Sequence, residues 1–459
     1  MVKSKTLGLI FLLAATPAWA DHSPKFDWPW KLDDSNPLST LTINGLVLDT
    51  VQGYPTYKNN VDPNNPFNKG QVDNMVKSSF YLGMKLWKGA SVYSNTEIYQ
   101  GYNISNNIDF ANNVNSTVPN VNTNNPYMQL QRLFFRQVID IEGEDTIMPD
   151  FSGTRSDALA SVEQKLADKV SENTLTFTFG KFAVGDIFDG NIYAHDPTRK
   201  FMNQSFSGFD SVDYVGNSWG TTVGAMFDWH YYNWSWRTGI FQGSLPPPSN
   251  NIDPVPLRQY MLISELERRY HLFDNPGSLK LIGYRDYGYL DQNGGYQGLN
   301  SLIDYVNGIN RTELNDLMRR TVFGIGVNLQ QQLADGIGYF MRAGMDNKSV
   351  SISDITHTFS NGLVFDGKLW NRPGDEIGAA FGIQHIKGNN IFNNNDLSFT
   401  PYGAGSAGYA AQKTIETYYK WTINDRLAIT ADYQRVINPN FNSQSHSAHV
   451  FGIRLRANF

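Results

Sequence analysis

The stretch that decides the fold lies at the end of the chain and reads HVFGIRLRANF, from His449 to Phe459. Counting back from Phe459, every second residue as far as Phe451 is apolar, whereas Arg454 and Arg456 stand between them. Successive side chains of a strand point to opposite faces, so this segment predicts a strand with one apolar face and one charged face. Such a strand suits either a water-soluble sandwich or the wall of a membrane barrel.

The same two-faced pattern recurs along the chain, over 323–330, 376–383, 415–421 and 427–434. Segments of about ten residues, apolar on one side and polar or small on the other, are typical of transmembrane barrels. A closed barrel satisfies every backbone polar group within lipid. The chain also ends on an aromatic residue, as does the strand recognised during assembly of outer-membrane barrels. We therefore expect an all-β transmembrane antiparallel barrel with Phe459 as its assembly signal.

Composition narrows the remaining classes of protein. The 459 residues carry a formal net charge of −6, with 17% charged and 14% aromatic residues, and the mean hydropathy is −0.39. This polar average and the lack of a long apolar run exclude a bundle of membrane helices. The acidic balance, without a block of basic residues, argues against nucleic acid as a partner. There is no cysteine and the 8 histidines are scattered, so we expect neither a metal site nor a cofactor.

The N-terminus predicts export from a bacterial cytoplasm. Two lysines precede a short apolar run, and a small-residue pattern ends at Ala20. This pattern predicts a signal peptide over 1–20, cleaved between Ala20 and Asp21. A membrane anchor is the alternative, but the apolar run is shorter than the roughly 20 residues that a spanning helix needs. We expect a periplasmic extension over 21–40 and an outer-membrane barrel domain over 41–459.

About sixteen strands are predicted from the alternation. They lie near 43–53, 77–87, 91–102, 127–141, 174–182, 218–229, 234–242, 259–273, 279–290, 321–333, 337–346, 357–369, 376–387, 413–423, 427–437 and 447–459. The connections alternate between short turns and long polar loops, as periplasmic turns and outer loops do in such barrels. The connection 142–173 breaks this rule, and its helical spacing of apolar residues predicts a short amphipathic helix at the periplasmic mouth. Otherwise the strand count is wrong there.

Several segments in order carry a family resemblance. They read FTFGKFAVGDIFDGNIYAHDPTRKFMNQSF from Phe177, SELERRYHLFDNPGSLKLIGYRDYGYLD from Ser264, GDEIGAAFGIQHI from Gly374, and HVFGIRLRANF at the end. Together these segments resemble the carbohydrate-selective porins of the OprB family, most closely from Leu175 onward. The resemblance implies a sixteen-stranded outer-membrane channel for diffusive uptake of mono- or oligosaccharides. It also implies contact with outer-membrane lipid and the barrel-assembly machinery, and it leaves open whether the barrel forms a homotrimer.

The third long loop, over 183–217, is expected to narrow the pore. In general porins the third loop folds into the lumen, and the resemblance implies the same here. Its candidate residues for the constriction are Asp186, Asp189, Asn191, Tyr193, His195, Asp196, Arg199 and Lys200. A neutral sugar needs hydrogen-bonding groups and an aromatic face, held in weak contacts that do not stop the flux. The alternative is that these charges are solvated at the surface.

Strand parity predicts which charged side chains face the lumen. The candidates are Arg132, Arg136, Arg237, Glu265, Glu267, Arg269, Arg342, Glu416, Lys420, Asp432, Arg454 and Arg456. Arginine suits hydroxyl recognition because its planar guanidinium presents a fork of donors. For any one of these residues, a structural ladder that braces the wall is at least as good an interpretation as contact with substrate.

Other functions remain open at this point. A general diffusion porin without sugar preference, a channel for anionic substrates, and a passive scaffold or adhesin fit the same barrel. An outer-membrane hydrolase is the enzyme alternative, because Ser443, Ser445, His446, Ser447 and His449 cluster near the last outer loop. No matching strand motif accompanies this cluster, so we expect no enzyme.

Overall fold

The computed structural model describes residues 41–55, 69–87, 89–104, 114–117, 122–142, 171–212, 215, 220–244, 252–291, 317–347, 355–386 and 408–459. They form one closed barrel of sixteen antiparallel strands, each paired with its neighbours in sequence, with the last strand paired to the first. The predicted all-β barrel with sixteen strands is therefore confirmed. The strands are β1 (Leu41–Tyr54), β2 (Gln71–Trp87), β3 (Ala90–Tyr102), β4 (Asn122–Glu142), β5 (Asn173–Ala183), β6 (Thr221–Tyr231), β7 (Trp234–Gln242), β8 (Tyr260–Leu272), β9 (Asn275–Asp291), β10 (Leu317–Ala334), β11 (Ile337–Asp346), β12 (Ile355–Asp366), β13 (Glu376–Ile386), β14 (Gln412–Asn424), β15 (Leu427–Ile437) and β16 (Ala448–Asn458).

Some strand ends differ from the prediction. The strands β2 and β4 begin at Gln71 and Asn122, six and five residues earlier than the predicted starts at 77 and 127. Their first residues are mostly polar and carry no two-faced pattern. The strand β12 ends at Asp366, since a 3-10 turn over Gly367–Trp370 follows it. The predicted signal peptide, the extension 21–40 and most of the connection 142–173 lie outside the described residues.

The exposed face of the wall is the apolar one. In β16 the side chains of Phe451 and Ile453 are 57% and 58% exposed, whereas Arg454, the residue after Ile453, is fully buried. A water-soluble sandwich would show the reverse, because burial of apolar surface stabilises it. This arrangement is that of a barrel whose outer surface meets lipid and whose charged side chains point inward.

The barrel closes where its last residue meets β1. The backbone of Phe459 exchanges two hydrogen bonds with Gly45, at 2.8 and 3.0 Å, and its ring lies edge-on to Phe80 with centroids 6.1 Å apart. A Cβ atom on Gly45 would lie only 2.1 Å from the Phe459 ring, so glycine leaves the space that the ring fills. The terminal residue is thus part of the closing seam.

Part of the barrel interior is filled by protein. The chain between β5 and β6 turns inward through a 3-10 turn over Val184–Asp186 and a short helix α1 over Gln204–Ser207. Its aromatic residue Phe206 packs against Phe340 of β11, and Phe188 packs against Phe241 of β7. Because these contacts reach inward-facing wall residues, the predicted fold of the third loop into the pore is present in the described segment 184–212, here named the internal loop. None of the described helices is long and apolar enough to cross a membrane.

Candidate functional site

The first anchor of the internal loop is an ion pair with β4. The Arg132 guanidinium donates two bonds to the Asp186 carboxylate, at 2.6 and 2.7 Å, and a third to Asn95 at 2.7 Å. Asp186 also accepts the backbone N–H of Ala183 at 2.9 Å, which fixes the turn where β5 ends. Both charged side chains are buried. A bidentate pair of this kind holds its partners in one orientation, so Asp186 and Arg132 position the start of the loop.

The second anchor lies three residues on, against β10 and β11. The buried Asp189 carboxylate accepts from Arg342 Nε at 2.9 Å, from Asn328 Nδ2 at 2.6 Å and from the backbone N–H of Phe209 at 3.0 Å. Its own N–H donates to Glu265 at 2.8 Å. Burial raises the pKa of the Asp189 carboxyl above its ordinary value, against the opposing effect of the Arg342 guanidinium. Asp189 has a positive φ of 61°, a conformation that the surrounding contacts hold.

The wall beneath this anchor is a ladder of alternating charges. Arg237 of β7 pairs with Glu265 and Glu267 of β8, at 2.6 and 2.9 Å. Lys280 of β9 lies 4.0 Å from Glu267 and donates to the carbonyl of Gly190 in the loop. Arg269 continues the ladder toward the periplasm, at 3.3 Å from Glu267. These groups, apart from the half-buried Arg269, are buried, so they brace the wall and support the loop rather than face open water.

A third anchor holds the far end of the loop against β14 and β16. The Glu416 carboxylate accepts the N–H groups of Met202 and Asn203, at 2.5 and 3.0 Å. Arg454 donates to the carbonyls of Pro197 and Lys200, the latter at 3.0 Å. The buried Asp432 stands on the neighbouring strand and accepts from Gln434 at 2.9 Å. Wall charges therefore bind loop backbone here, and they are also buried.

Two further residues of the loop are structural in their contacts. Asn191 donates to Asn328 at 2.8 Å and accepts the N–H of Tyr193 at 3.0 Å, and the His195 ring contacts the carbonyl of Gly185 at 2.7 Å. Tyr193 is only half-buried and covers Gly338 of β11, where a Cβ atom would lie 2.0 Å from its ring. Burial raises the pKa of the Tyr193 phenol to about 12.

A smaller set of charges remains open to the lumen. Arg199 and Asp196 lie 3.5 Å apart with side chains 30% and 26% exposed. Lys200 pairs with Glu376 of β13, and Lys420 of β14 lies 3.8 Å from the same carboxylate. The partly exposed candidates are Tyr193, Asp196, Arg199, Lys200, Arg136, Arg269, Lys420 and Arg456.

Sequence reasoning missed several members of this site. Glu97, Lys280, Asn328 and Glu376 all make the wall contacts described above or extend them, as Glu97 does at 3.6 Å from Arg132. Each lies on a strand for which no candidate was named, and its inward parity was the available signal. The inward aromatic residues were missed because an aromatic side chain suits a lipid-facing position equally well.

Comparison with known proteins addresses the fold and the family. The high-pH structure of Pseudomonas putida OprB matches with a TM-score of 0.63 and 16% identity, over 91% of this chain and 94% of that chain. Its low-pH structure (TM-score 0.45, 14% identity, 91% and 92%) and the channel DcaP of Acinetobacter baumannii (0.47, 9%, 93% and 99%) match less well. At such identities the match to the high-pH structure shows the barrel fold alone. No curated protein sequence matches the chain.

The family follows from a separate match to the sequence. Residues 68–459 match the model of the family described as "Carbohydrate-selective porin, OprB family". The match begins just before β2 and includes the internal loop, its three anchors and the closing strand. The resemblance seen in the sequence is thereby confirmed, and the chain belongs to the carbohydrate-selective porins of the OprB family.

Proposed function

We propose that Asp196, Arg199, Lys200 and Lys420 form the narrow part of the pore through which this outer-membrane porin passes sugars by passive diffusion. The single observation that carries this assignment is the split in burial among the charged side chains of the lumen. The residues that anchor the loop are buried, whereas these four are partly exposed beside the space that the loop leaves open. Only exposed groups can exchange their water for the hydroxyls of a passing sugar.

The chemistry of these four residues suits weak contact with neutral solutes. Arg199 and Lys200 supply donors, and Asp196 supplies acceptors, so that adjacent sugar hydroxyls find both kinds of partner. Each positive group lies near a carboxylate, Asp196 for Arg199 and Glu376 for the two lysines. The partly exposed pair of Arg199 with Asp196 contributes about 0–1 kcal/mol, so it rearranges readily around a solute. Tyr193 lies three residues from Asp196 and offers an aromatic face at the same part of the loop.

The buried charges act on the pore only through the loop. Arg132, Arg342, Glu416 and Arg454 are positioning residues in this proposal because each is buried against the loop and is shielded from a solute. Arg136 and Arg456 are half-buried on the inner face of the wall and extend the polar path beyond the narrow part. The pore size thus depends on the anchors, and selectivity depends on the exposed groups.

Liposome swelling tests sugar preference directly. We expect vesicles containing the protein to swell faster in neutral monosaccharides than in amino acids of similar mass. Equal rates would instead assign a general diffusion porin, and a preference for anionic sugars would assign an anion channel. The variant Arg199→Ala should reduce the difference between the sugars and the amino acids. The variant Gln204→Ala is the matched control, since this exposed residue of α1 lies outside the proposed narrow part.

The family and the fold are those of a channel, and we propose no catalytic role for the serine and histidine cluster at the last outer loop. The Ser443 hydroxyl donates to the Gly408 carbonyl at 3.1 Å, and the His449 ring contacts the Tyr433 hydroxyl at 2.8 Å. Within residues 408–459, all of which are described, these contacts do not join a serine to a histidine. Esterase or protease activity that is lost in Ser445→Ala would contradict this proposal.

Assembly partners belong to the same proposal. The barrel-assembly machinery is expected to engage the closing strand, and a homotrimer is expected because the chain is a porin. The molar mass of the detergent-solubilised protein, measured by light scattering with the detergent contribution subtracted, tests the second point. A mass of one barrel would contradict the trimer.

A further inference from the structure

The lipid-facing surface is hollowed over β7 to β12. Small residues form the floor of this hollow, among them Ser264, Gly283 and Ala343, and larger residues surround it. The surrounding side chains include Trp236, Leu266, Leu281, Ile325 and Met345, all of which are exposed on the outer face of the wall. The hollow, here named the outer groove, has a volume of about 780 Å³. This is enough for more than one acyl chain segment beside the barrel.

Among the described residues, nothing requires glycine at position 283 in the floor of the outer groove. A Cβ atom on Gly283 would have no heavy atom within 4 Å, and the residue has no positive φ. By contrast, Gly324 one strand away could not accept a side chain, because a Cβ atom there would lie 2.1 Å from the Tyr284 ring. The lack of a side chain at Gly283 therefore keeps the hollow open, and neither a turn nor close packing requires it. In a bilayer such a hollow is filled by lipid hydrocarbon.

A cation stands at the upper end of the outer groove. Arg285 lies two residues above Gly283 on the same face of β9, and its guanidinium lies 5.8 Å from the centroid of the Phe323 ring. It is exposed and forms no ion pair with another described residue. His357 borders the groove on β12 and is exposed as well. Among the outward side chains that the structure describes in β7 to β12, none is a carboxylate.

The height of Arg285 matches the outer boundary of the bilayer. The strand β9 begins at Asn275 after a short turn, which is the periplasmic end, and Arg285 lies ten residues further on. At about 2.5 Å of height for each residue of a tilted strand, this places Arg285 about 25 Å above the turn, close to the height of the apolar band of such barrels. A guanidinium that pairs with no carboxylate of the described residues, at the level of lipid headgroups, is suited to bind phosphate, which it can do through two parallel bonds.

We propose that the outer groove binds one outer-leaflet glycolipid of the lipid A type, with an acyl chain over Gly283 and a headgroup phosphate on Arg285. One phosphorylated lipid satisfies three features together: the charge of Arg285, the lack of outward carboxylates in the part of β7 to β12 that the structure describes, and the hollow below Arg285. The Arg268 guanidinium also faces outward, but it lies over the Trp234 ring at 4.8 Å, near the periplasmic end of β8 and away from the outer leaflet. It provides a matched control.

Native mass spectrometry of the full-length mature protein, titrated with purified bisphosphorylated lipid A, tests the proposal. We expect one lipid that binds more tightly than the rest. Its affinity should fall about tenfold or more in Arg285→Gln, as loss of a charge-assisted contact predicts. It should fall similarly in Gly283→Leu, which fills the groove, and remain unchanged in Arg268→Gln. Ser94→Leu, an outward substitution on β3 far from the groove, is the control for added bulk and should also bind as the wild type does.

Equal binding by wild type, Arg285→Gln and Gly283→Leu would overturn the proposal, as would equal losses in the two control variants. Phosphatidylglycerol or dephosphorylated lipid A that competes as well as the bisphosphorylated form would also overturn it. If Gly283→Leu lowered the oligomer mass without changing lipid binding, the groove would be a contact between barrels instead. The shift in electrophoretic mobility on heating reports whether each variant is folded, and Arg285→Gln decides the question if Gly283→Leu does not fold.

Discussion

Removal of the Asp189 carboxylate tests how the internal loop is held. In Asp189→Ala the Arg342 guanidinium, the Asn328 amide and the Phe209 N–H lose their shared acceptor, and all three lie in a buried contact between loop and wall. Breaking one partner of a buried ion pair costs about 3–5 kcal/mol, because it leaves the other charge without compensation. At 1.4 kcal/mol per factor of ten, the undocked form of this part of the loop gains about two to four orders of magnitude in population.

The barrel itself should survive this substitution. The other two anchors, Arg132 with Asp186 and Glu416 with the loop amides, remain, and the strand ladders do not depend on Asp189. In planar bilayers we therefore expect Asp189→Ala to show larger single-channel conductance with brief excursions to still higher levels. Sugar block of the current should weaken in parallel. Heat-dependent electrophoretic mobility should be that of the wild type.

A double-mutant cycle separates the ion pair from general damage. Arg342→Met should also loosen the loop, but Asp189→Ala with Arg342→Met should cost less than the sum of the two changes, since no charge is left unpaired. Gln204→Ala, an exposed substitution in the same loop, should leave conductance and noise unchanged. Wild-type conductance and noise in Asp189→Ala, or strict additivity in the cycle, would refute the anchoring argument.

Three other predictions follow from the same geometry. Arg199→Ala removes a partly exposed positive charge from the lumen, so the reversal potential in a KCl gradient should shift toward cation selectivity while folding is unaffected. An unchanged reversal potential would exclude Arg199 from the ion path. Deletion of Phe459 removes its two backbone bonds to Gly45 and its ring contact in the seam, so insertion into liposomes by the assembly machinery should slow, and normal insertion would contradict the role of the terminus. Burial raises the pKa of the Tyr193 phenol from its ordinary 10.0 to about 12 in the folded state. The stability that the buried neutral phenol contributes is therefore present below pH 10 and is lost as the pH rises toward 12. The phenolate absorbance of wild type minus Tyr193→Phe should therefore show a transition near pH 12, and one near 10 would show an exposed ring.

The barrel could be predicted from the sequence because its signal is local. A period of two in β16 and in the strands before it reports which side chains share a face, and turn lengths report which end faces the periplasm. Both follow from positions close in the chain. The first residues of β2 and β4 were missed for the same reason, since the polar residues beyond the apolar band show no alternation.

The internal loop and its anchors could not be derived in this way. Arg132 and Asp186 were both identified as candidates, but no local pattern shows that a residue in β4 meets one 54 positions later. Whether a charged side chain is buried also depends on the path of the internal loop. Within this one short segment Asp189 is buried, whereas Asp196 is partly exposed. The inward aromatic residue Phe340 has the parity of the lumen face and the chemistry of the lipid face, so only three-dimensional packing could place it.

The anchors on the last strands have a consequence for the order of assembly. Arg454 on β16 binds loop carbonyls, and Glu416 on β14 binds loop amides, so the final strands complete the binding surface for a segment synthesised long before them. A barrel that closed with the loop outside would lose these charge-assisted hydrogen bonds, because both side chains would then face a water-filled lumen. Closure of the barrel and docking of the internal loop therefore stabilise each other. A closed barrel with an undocked loop is the less favourable product. Few unselective channels without the constriction are therefore expected in the membrane.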